Sequence, residues 1–443
     1  MSKSFLLILI LITTIVKSQQ NNNRLAIADQ MEYSLKNELL KPWYPASIDT
    51  MYGGFISAFT YDFKLADNHD KMIVTQARHV WTNSKAAELY PDVTYFKEGA
   101  AHGFRFLKDV MWDKTYGGFY LLTDRKGIVK STMKEAYGNA FGIYALAAYY
   151  HESHDTSALN LAKQAFIWLD NHSHDSQYKG YYQHLNRDGS VIKRDASVPS
   201  TSDLGYKDQN SSIHLLEAFS ELYQVWPDNL LRSRLQEMLF LIRDVIMTKK
   251  GHLQLFFQPD WTPVSFKDSS EASLIKHKYF DHVSFGHDVE TACLMLEASQ
   301  VLGLTNDTIT KRITKNAVDH ALQNGWDNKI GGFYDEGYYY KNKNAITIIR
   351  DSKNWWAQAE GLNTLLLMAD AYPNDNHQYY QKFLLLWNYV QTYLIDHEHG
   401  DWYEGGLDKE PEKATAQKGH IWKATYHNFR GLDNCIRRLR HAE

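Results

Sequence analysis

Apolar residues along this chain recur every three or four positions in long segments broken by short turns. That is the period of helices that bury one face. Two series of segments alternate. One covers residues 23–40, 92–112, 155–171, 229–247, 306–324 and 375–397; the other covers 65–88, 130–150, 206–225, 285–302, 351–371 and 420–440. A turn rich in glycine and aromatics follows each member of the first series. It reads Tyr52-Gly53-Gly54-Phe55, Tyr116-Gly117-Gly118-Phe119, Tyr178-Lys179-Gly180-Tyr181, Lys250-Gly251-His252-Leu253, Ile330-Gly331-Gly332-Phe333 and His399-Gly400-Asp401-Trp402. Glycines 53, 117, 180, 251, 331 and 400 lie 64, 63, 71, 80 and 69 residues apart. Six helical hairpins at this spacing predict an all-α fold of twelve helices in two concentric rings, an (α/α)6 barrel. An open helical solenoid is the alternative.

The two series differ in character. The first is conventionally amphipathic, as an outer ring should be. The second is less charged, yet carries polar residues where apolar ones are expected: Arg78, Asn210, His214, His287, Glu290, Glu360 and His427. These fall in the N-terminal halves of their helices, where unpaired N–H groups and the helix dipole favour developing negative charge. An inner ring lining a funnel would carry such residues.

Lys3, the apolar run Phe5 to Val16, and Val16-Lys17-Ser18 have the layout of a cleaved secretory signal at residues 1–18. A dozen apolar residues are too few to span a bilayer as a helix. This predicts export to the periplasm or medium, a polar stub at 19–23, and a single catalytic domain over 24–443 with no membrane attachment. A formal net charge of −4 without basic clusters excludes a nucleic-acid footprint. Cys293 and Cys435 stand in no metal or redox spacing and read as buried thiols. The 29 Tyr and 12 Trp residues suit sugar stacking, but they also suit a large core.

His287 and Glu290 are three apart and share a helix face, so the carboxylate is placed to orient the imidazole or to bind a hydroxyl. The same spacing ligates metals, but no further ligand lies nearby in sequence. His151-Glu152-Ser153-His154 lacks the zinc-protease form. No metal or cofactor is expected. Glu290 and Glu360 keep open a glycoside hydrolase with two carboxylic acids. The histidines favour removal of a proton beside a carbonyl, which needs a base that titrates near neutrality.

Several blocks resemble the N-acylglucosamine 2-epimerase superfamily, and within it the cellobiose and mannobiose 2-epimerases. They are Ala77-Arg78-His79-Val80-Trp81, Tyr137 to Leu146, Asn210 to Ala218, Ser284 to Glu290, Trp355 to Glu360, and Trp422 to Asn428. The resemblance implies an (α/α)6 barrel that inverts C2 at the reducing end of gluco- or manno-configured sugars. It implies His287 and His427 as acid/base histidines on opposite faces of the sugar, with His214 and Arg78 beside the reactive oxygens. Tyr137, Asn210, Glu290 and Glu360 would be polar pocket residues, and Trp355, Trp356 and Trp422 aromatic walls. Neighbouring tryptophans on a helix point in different directions, so one of the pair 355/356 is expected to be structural. Cys293 stands where the disaccharide epimerases carry Trp, and Ala424-Thr425 where they carry Cys-Pro. The same residues would serve an aldose–ketose isomerase, in which the proton returns to C1.

Overall fold

The structure, a computed structural model, describes residues 22–441. The segment read as a signal lies outside the described residues. A helix is already formed at residue 22, so Asn22 and Asn23 belong to it and not to a polar stub. Twelve long helices are found among the described residues. The first hairpins are built from α1 (22–33, prolonged by a widened turn Ser34–Leu40), α2 (Ile73–Leu89), α3 (Thr94–Phe106), α4 (Ala136–Ser153), α5 (Thr156–Ser173) and α6 (Gln209–Val225). The rest are α7 (Asn229–Leu241), α8 (Phe285–Val301), α9 (Thr308–Asn324), α10 (Trp355–Ala371), α11 (Tyr379–Tyr393) and α12 (Tyr426–Arg440).

Odd-numbered helices form the outer ring and even-numbered helices the inner one. In α5, Ala158, Leu161, Ala162, Ala165, Phe166 and Leu169 bury one stripe, and Asp155 caps the first turn by accepting from Ser157 N–H at 2.8 Å. In α4 every residue from Ala136 to Tyr149 is buried, because neighbours cover it on all sides. Its run of Ala and Gly lets those neighbours come close. Around the inner ring α2 packs on α4, α4 on α6, α6 on α8, α8 on α10 and α10 on α12. The circle then closes, since α12 packs on α2 and on Ser34–Leu40. Tyr44 joins the two ends through Thr425 (3.1 Å) and His79 (2.8 Å). An open solenoid has no such closing contacts.

Five inner helices begin later than the periodicity predicts, at 73, 136, 209, 355 and 426. The residues ahead of α2, α4 and α6 are short antiparallel strands instead. Lys71–Met72 pairs with Leu122–Thr123, Lys134–Glu135 with His184–Leu185, and Lys207–Asp208 with Phe256–Phe257. The reason is a buried ion pair. Asp49, Asp113, Asp175, Asp327 and Asp396 each open a glycine turn and accept from backbone N–H groups within it. Each also receives a buried lysine from the residues preceding the next inner helix: Lys71 (3.0 Å), Lys134 (3.2 Å), Lys207 (2.8 Å), Lys353 (2.9 Å) and Lys418 (2.7 Å). In the fourth turn Thr248 replaces the aspartate and Val283 the lysine, so neither charge is left alone. Gly118 lies behind the second aspartate at φ +71°, where an added Cβ would sit 2.7 Å from Trp168. Only glycine fits there.

Removing one member of such a pair strands a charge in the interior, which costs about 3–5 kcal/mol. Lys134→Met should therefore lower the unfolding free energy by about that amount. Lys134→Met with Asp113→Leu should recover most of the loss, as read by denaturant unfolding. Arg187, the other partner of Asp113 at 2.9 Å, is half exposed and can turn to solvent.

Candidate active site

The strand-and-turn connections bring the N-terminal ends of all six inner helices to one end of the barrel. Five of these ends (α2, α4, α8, α10 and α12) have no side-chain cap. At this end of the barrel lies a cavity of about 520 Å³ lined by Tyr137, Asn210, His287, Trp422, Glu135 and Gln209, among others, to which α4, α6 and α8 contribute their first turns. Trp422 is 48% exposed and stands at the mouth.

Trp356 packs against both principal histidines. Its ring centroid is 4.7 Å from that of His287 and 5.8 Å from that of His427. His427 Nδ1–H donates to Glu360 Oε1 at 2.9 Å, which leaves Nε2 as the acceptor, and Arg78 Nη2 donates to it at 3.5 Å. Arg78 also donates to the Tyr137 hydroxyl (3.2 Å) and the Trp422 carbonyl (3.0 Å), and it lies over the Phe141 ring at 4.5 Å. His214 Nδ1–H donates to Glu217 Oε2 at 2.9 Å, and its ring packs edge-on against Tyr137.

The pairing read from the spacing of His287 and Glu290 does not form. His287 Nδ1 meets Ser284 Oγ at 2.8 Å, and Glu290 turns inward to Arg430 Nη2 at 3.3 Å. The same three-residue spacing is used one inner helix away, by His214 and Glu217. Trp355 is buried with Lys423 Nζ 5.5 Å over its ring, whereas Trp356 packs against both histidines, so of the Trp pair Trp355 is the structural member. Cys293 is buried nearly two helical turns below His287, with Asn363 Nδ2 at 3.2 Å and Glu297 Oε1 at 3.5 Å. Both cysteines are free thiols. Thr425 bonds Tyr44 and Thr82 in the core.

Four residues that the sequence reading passed over complete the site: Ser284, Glu217, Tyr426 and Arg430. Arg430 Nη1 and the Tyr426 hydroxyl both donate to Glu217 Oε1 through short contacts, and Arg430 Nη2 donates to Glu360 Oε2 at 2.6 Å. The signal was present as His214-x-x-Glu217 and as an arginine three positions after His427. Glu290, Glu360 and His427 stand close enough for one cation. The Arg430 guanidinium already serves both carboxylates, so this donor set is satisfied by protein.

Burial sets the charge states. Desolvation pushes His287 down to about 3, and His427 well below the ordinary histidine range, where Arg78 and Arg430 hold it further down. It also lowers His214. Burial and the neighbouring Glu360 raise Glu290 well above the carboxylate range, whereas Arg430 and His214 outweigh burial at Glu217 and hold it down at about 2. At neutral pH the site therefore presents uncharged imidazoles and an ionised Glu217, with burial favouring the neutral form of Glu290.

Residues 53–430 match the family model of N-acylglucosamine 2-epimerase. A cellobiose 2-epimerase of Bacteroides fragilis is 29% identical over 415 residues, 91% of this chain and 97% of that protein. A D-mannose isomerase of Marinomonas mediterranea is 24% identical over 398 residues, 87% of this chain and 91% of that protein. The solved structure of a cellobiose 2-epimerase from Bacillus thermoamylovorans superposes with a TM-score of 0.80 at 26% identity, covering 93% of this chain and 99% of that one.

The imidazole charge states give a pH prediction with a definite sign. These folded-state histidines titrate below their unfolded value of 6.5. Between those limits the unfolded chain binds protons that the fold does not, so stability rises with pH and is lost as pH falls below about 6.5. Histidine ¹⁵N NMR should find His214, His287 and His427 uncharged at pH 6, so that their contribution to stability falls between pH 7 and pH 5. An imidazolium at any of the three at pH 6 contradicts this.

Proposed function

The chain belongs to the N-acylglucosamine 2-epimerase family, and we propose that it inverts C2 at the reducing end of gluco- and manno-configured sugars or oligosaccharides without a metal or cofactor. It is a carbohydrate epimerase or isomerase; the finer assignment rests on the site. The observation that carries it is the pair of buried imidazoles, His287 and His427, both packed against Trp356, with Arg78 against one of them.

The chemistry follows from the carbonyl. Ring opening exposes the aldehyde, which acidifies the C2 hydrogen. One imidazole removes that proton and leaves a planar cis-enediolate. The other returns a proton to the opposite face, and the configuration inverts. Arg78 and His214 would hold the oxygens where negative charge gathers. Tyr137, Asn210 and Trp422 would hold the sugar, Trp356 would stack on it, and Glu360 would orient His427. Glu290, whose neutral form burial favours, would accept from Arg430 through one oxygen and give a hydrogen bond from the other. A hydrolase would use Glu290 and Glu360 as two carboxyl groups flanking a scissile bond, whereas here both converge on one guanidinium, Arg430. Residues 1–18 support export to the periplasm or medium.

Incubation with glucose, mannose, cellobiose and mannobiose in D₂O tests the assignment. Deuterium at C2 with interconversion of gluco and manno forms is expected. A ketose product would make the enzyme an aldose–ketose isomerase, and linkage cleavage a hydrolase. Dialysis against EDTA should leave turnover unchanged; loss restored by Zn²⁺ or Mn²⁺ would overturn metal independence. His287→Asn and His427→Asn should each lower kcat by about 10² to 10⁴. One of them should retain slow C2–H exchange from the epimer whose proton faces the surviving base. Near wild-type epimerisation in both folded variants would remove the two histidines from the mechanism.

A further inference from the structure

We propose that Arg430 is a positioning residue that locks two imidazoles at once, His427 through Glu360 and His214 through Glu217. The inference rests on the epimerase reading for its kinetic consequence but not for its structural one.

Arg430 lies one helical turn beyond His427 on α12 and is buried, as are Glu217, Glu290, Glu360 and His214. It does not line the sugar cavity. Its two terminal nitrogens diverge. Nη2 holds Glu360 Oε2 at 2.6 Å, and the other oxygen of that carboxylate takes His427 Nδ1–H at 2.9 Å. Nη1 holds Glu217 Oε1, and the other oxygen of that carboxylate takes His214 Nδ1–H at 2.9 Å. Each carboxylate thus uses one oxygen for the guanidinium and one for an imidazole. The result is a symmetric fork with one planar cation at its root. Because guanidinium is rigid, the separation and tilt of the two carboxylates are set together. Both imidazoles are then held in the Nδ1–H tautomer, with Nε2 as the acceptor. His287 has no carboxylate behind it; its Nδ1 meets only Ser284 Oγ.

The charge balance of the cluster requires this cation. Arg78 and Arg430 face Glu217, Glu290 and Glu360, two positive charges against three potential negative ones. Burial and the neighbouring Glu360 favour the neutral form of Glu290, which leaves the two cations facing Glu217 and Glu360. Without Arg430, at least one further carboxylate would take up a proton and stop accepting from its imidazole.

Lysine keeps the charge but not the fork, so Arg430→Lys separates positioning from mere neutralisation. After circular dichroism shows the variant folded, ¹⁵N NMR should find both His214 and His427 shifted from the pure Nδ1–H tautomer, with His287 unmoved. On the sugar that the wild type turns over, kcat should fall at least about tenfold with KM within about threefold. Glu217→Gln should shift His214 directly and His427 through the common guanidinium. A folded Arg430→Lys that leaves either imidazole in its wild-type tautomer overturns the shared fork. If Arg430→Lys does not fold, Glu360→Gln takes its place: a change at His427 must carry to His214 through the common guanidinium, and silence at His214 overturns the proposal. The tautomer readings need no substrate, so they stand even if the wild type turns over none of the tested sugars.

Discussion

The barrel depends on a buried aspartate–lysine ion pair used five times over. A glycine turn by itself reverses the chain but does not say where the next helix starts. The aspartate that opens the turn accepts from the turn's own N–H groups and then needs a cation. The lysine that supplies it also donates to backbone in the turn, as Lys71 does to Gly53 and Lys353 to Gly331. The inner helix can therefore begin only two residues beyond that lysine in four of the units, at Ile73, Ala136, Gln209 and Trp355. A second contact supports the registration. Gln76, Asn139 and Gln358, each in the first turn of an inner helix, accept the N–H of Phe55, Phe119 and Phe333 in the preceding glycine turn.

Registration at one end of the barrel is what makes a site. Residues on different inner helices, with up to 349 positions between Arg78 and His427, reach one another because all the inner helices start at the same level. Where the ion pair is missing, ahead of α8, the same geometry is kept without charge. Thr248 and Val283 replace the pair, and Asp288 accepts from Leu253 N–H where other units use an amide. With no lysine near, burial raises the Asp288 carboxyl well above its usual range, so the acid stays neutral and stands in for the amide. This is the helix that carries His287, whose neighbourhood is correspondingly poor in charge.

Charge is concentrated instead along the barrel axis around Arg430, and this divides the histidines into two kinds. His214 and His427 are held from behind by carboxylates and present a defined lone pair. His287 is held by a hydroxyl group, which can donate or accept, so either ring nitrogen can carry its proton. An acid/base pair that must take a proton from one face and return it to the other, in both directions, needs at least one partner free to change state. The difference in support offers one.

Much of this was legible in the order of residues. The period of the apolar positions and the six glycine turns determined the twelve helices, their division into two rings and the ring that faces the interior, because helical spacing and turn conformation are local properties. The unexpected polar residues on the inner series marked Arg78, His214, His287 and His427 before any contact was known. The inner helices start later than the spacing suggests because the short strands ahead of them, Lys71–Met72, Lys134–Glu135 and Lys207–Asp208, are each fixed by a lysine that is answered by an aspartate some 20 to 30 residues away. The partner of His287 was misjudged for a related reason. Spacing says which residues share a helix face, but not which neighbour across the barrel competes for them. Glu290 was claimed by Arg430 from 140 positions away. Ring closure, the shared guanidinium and the separation of Trp355 from Trp356 were decided by tertiary structure alone, since each depends on distances between helices that sequence spacing does not contain.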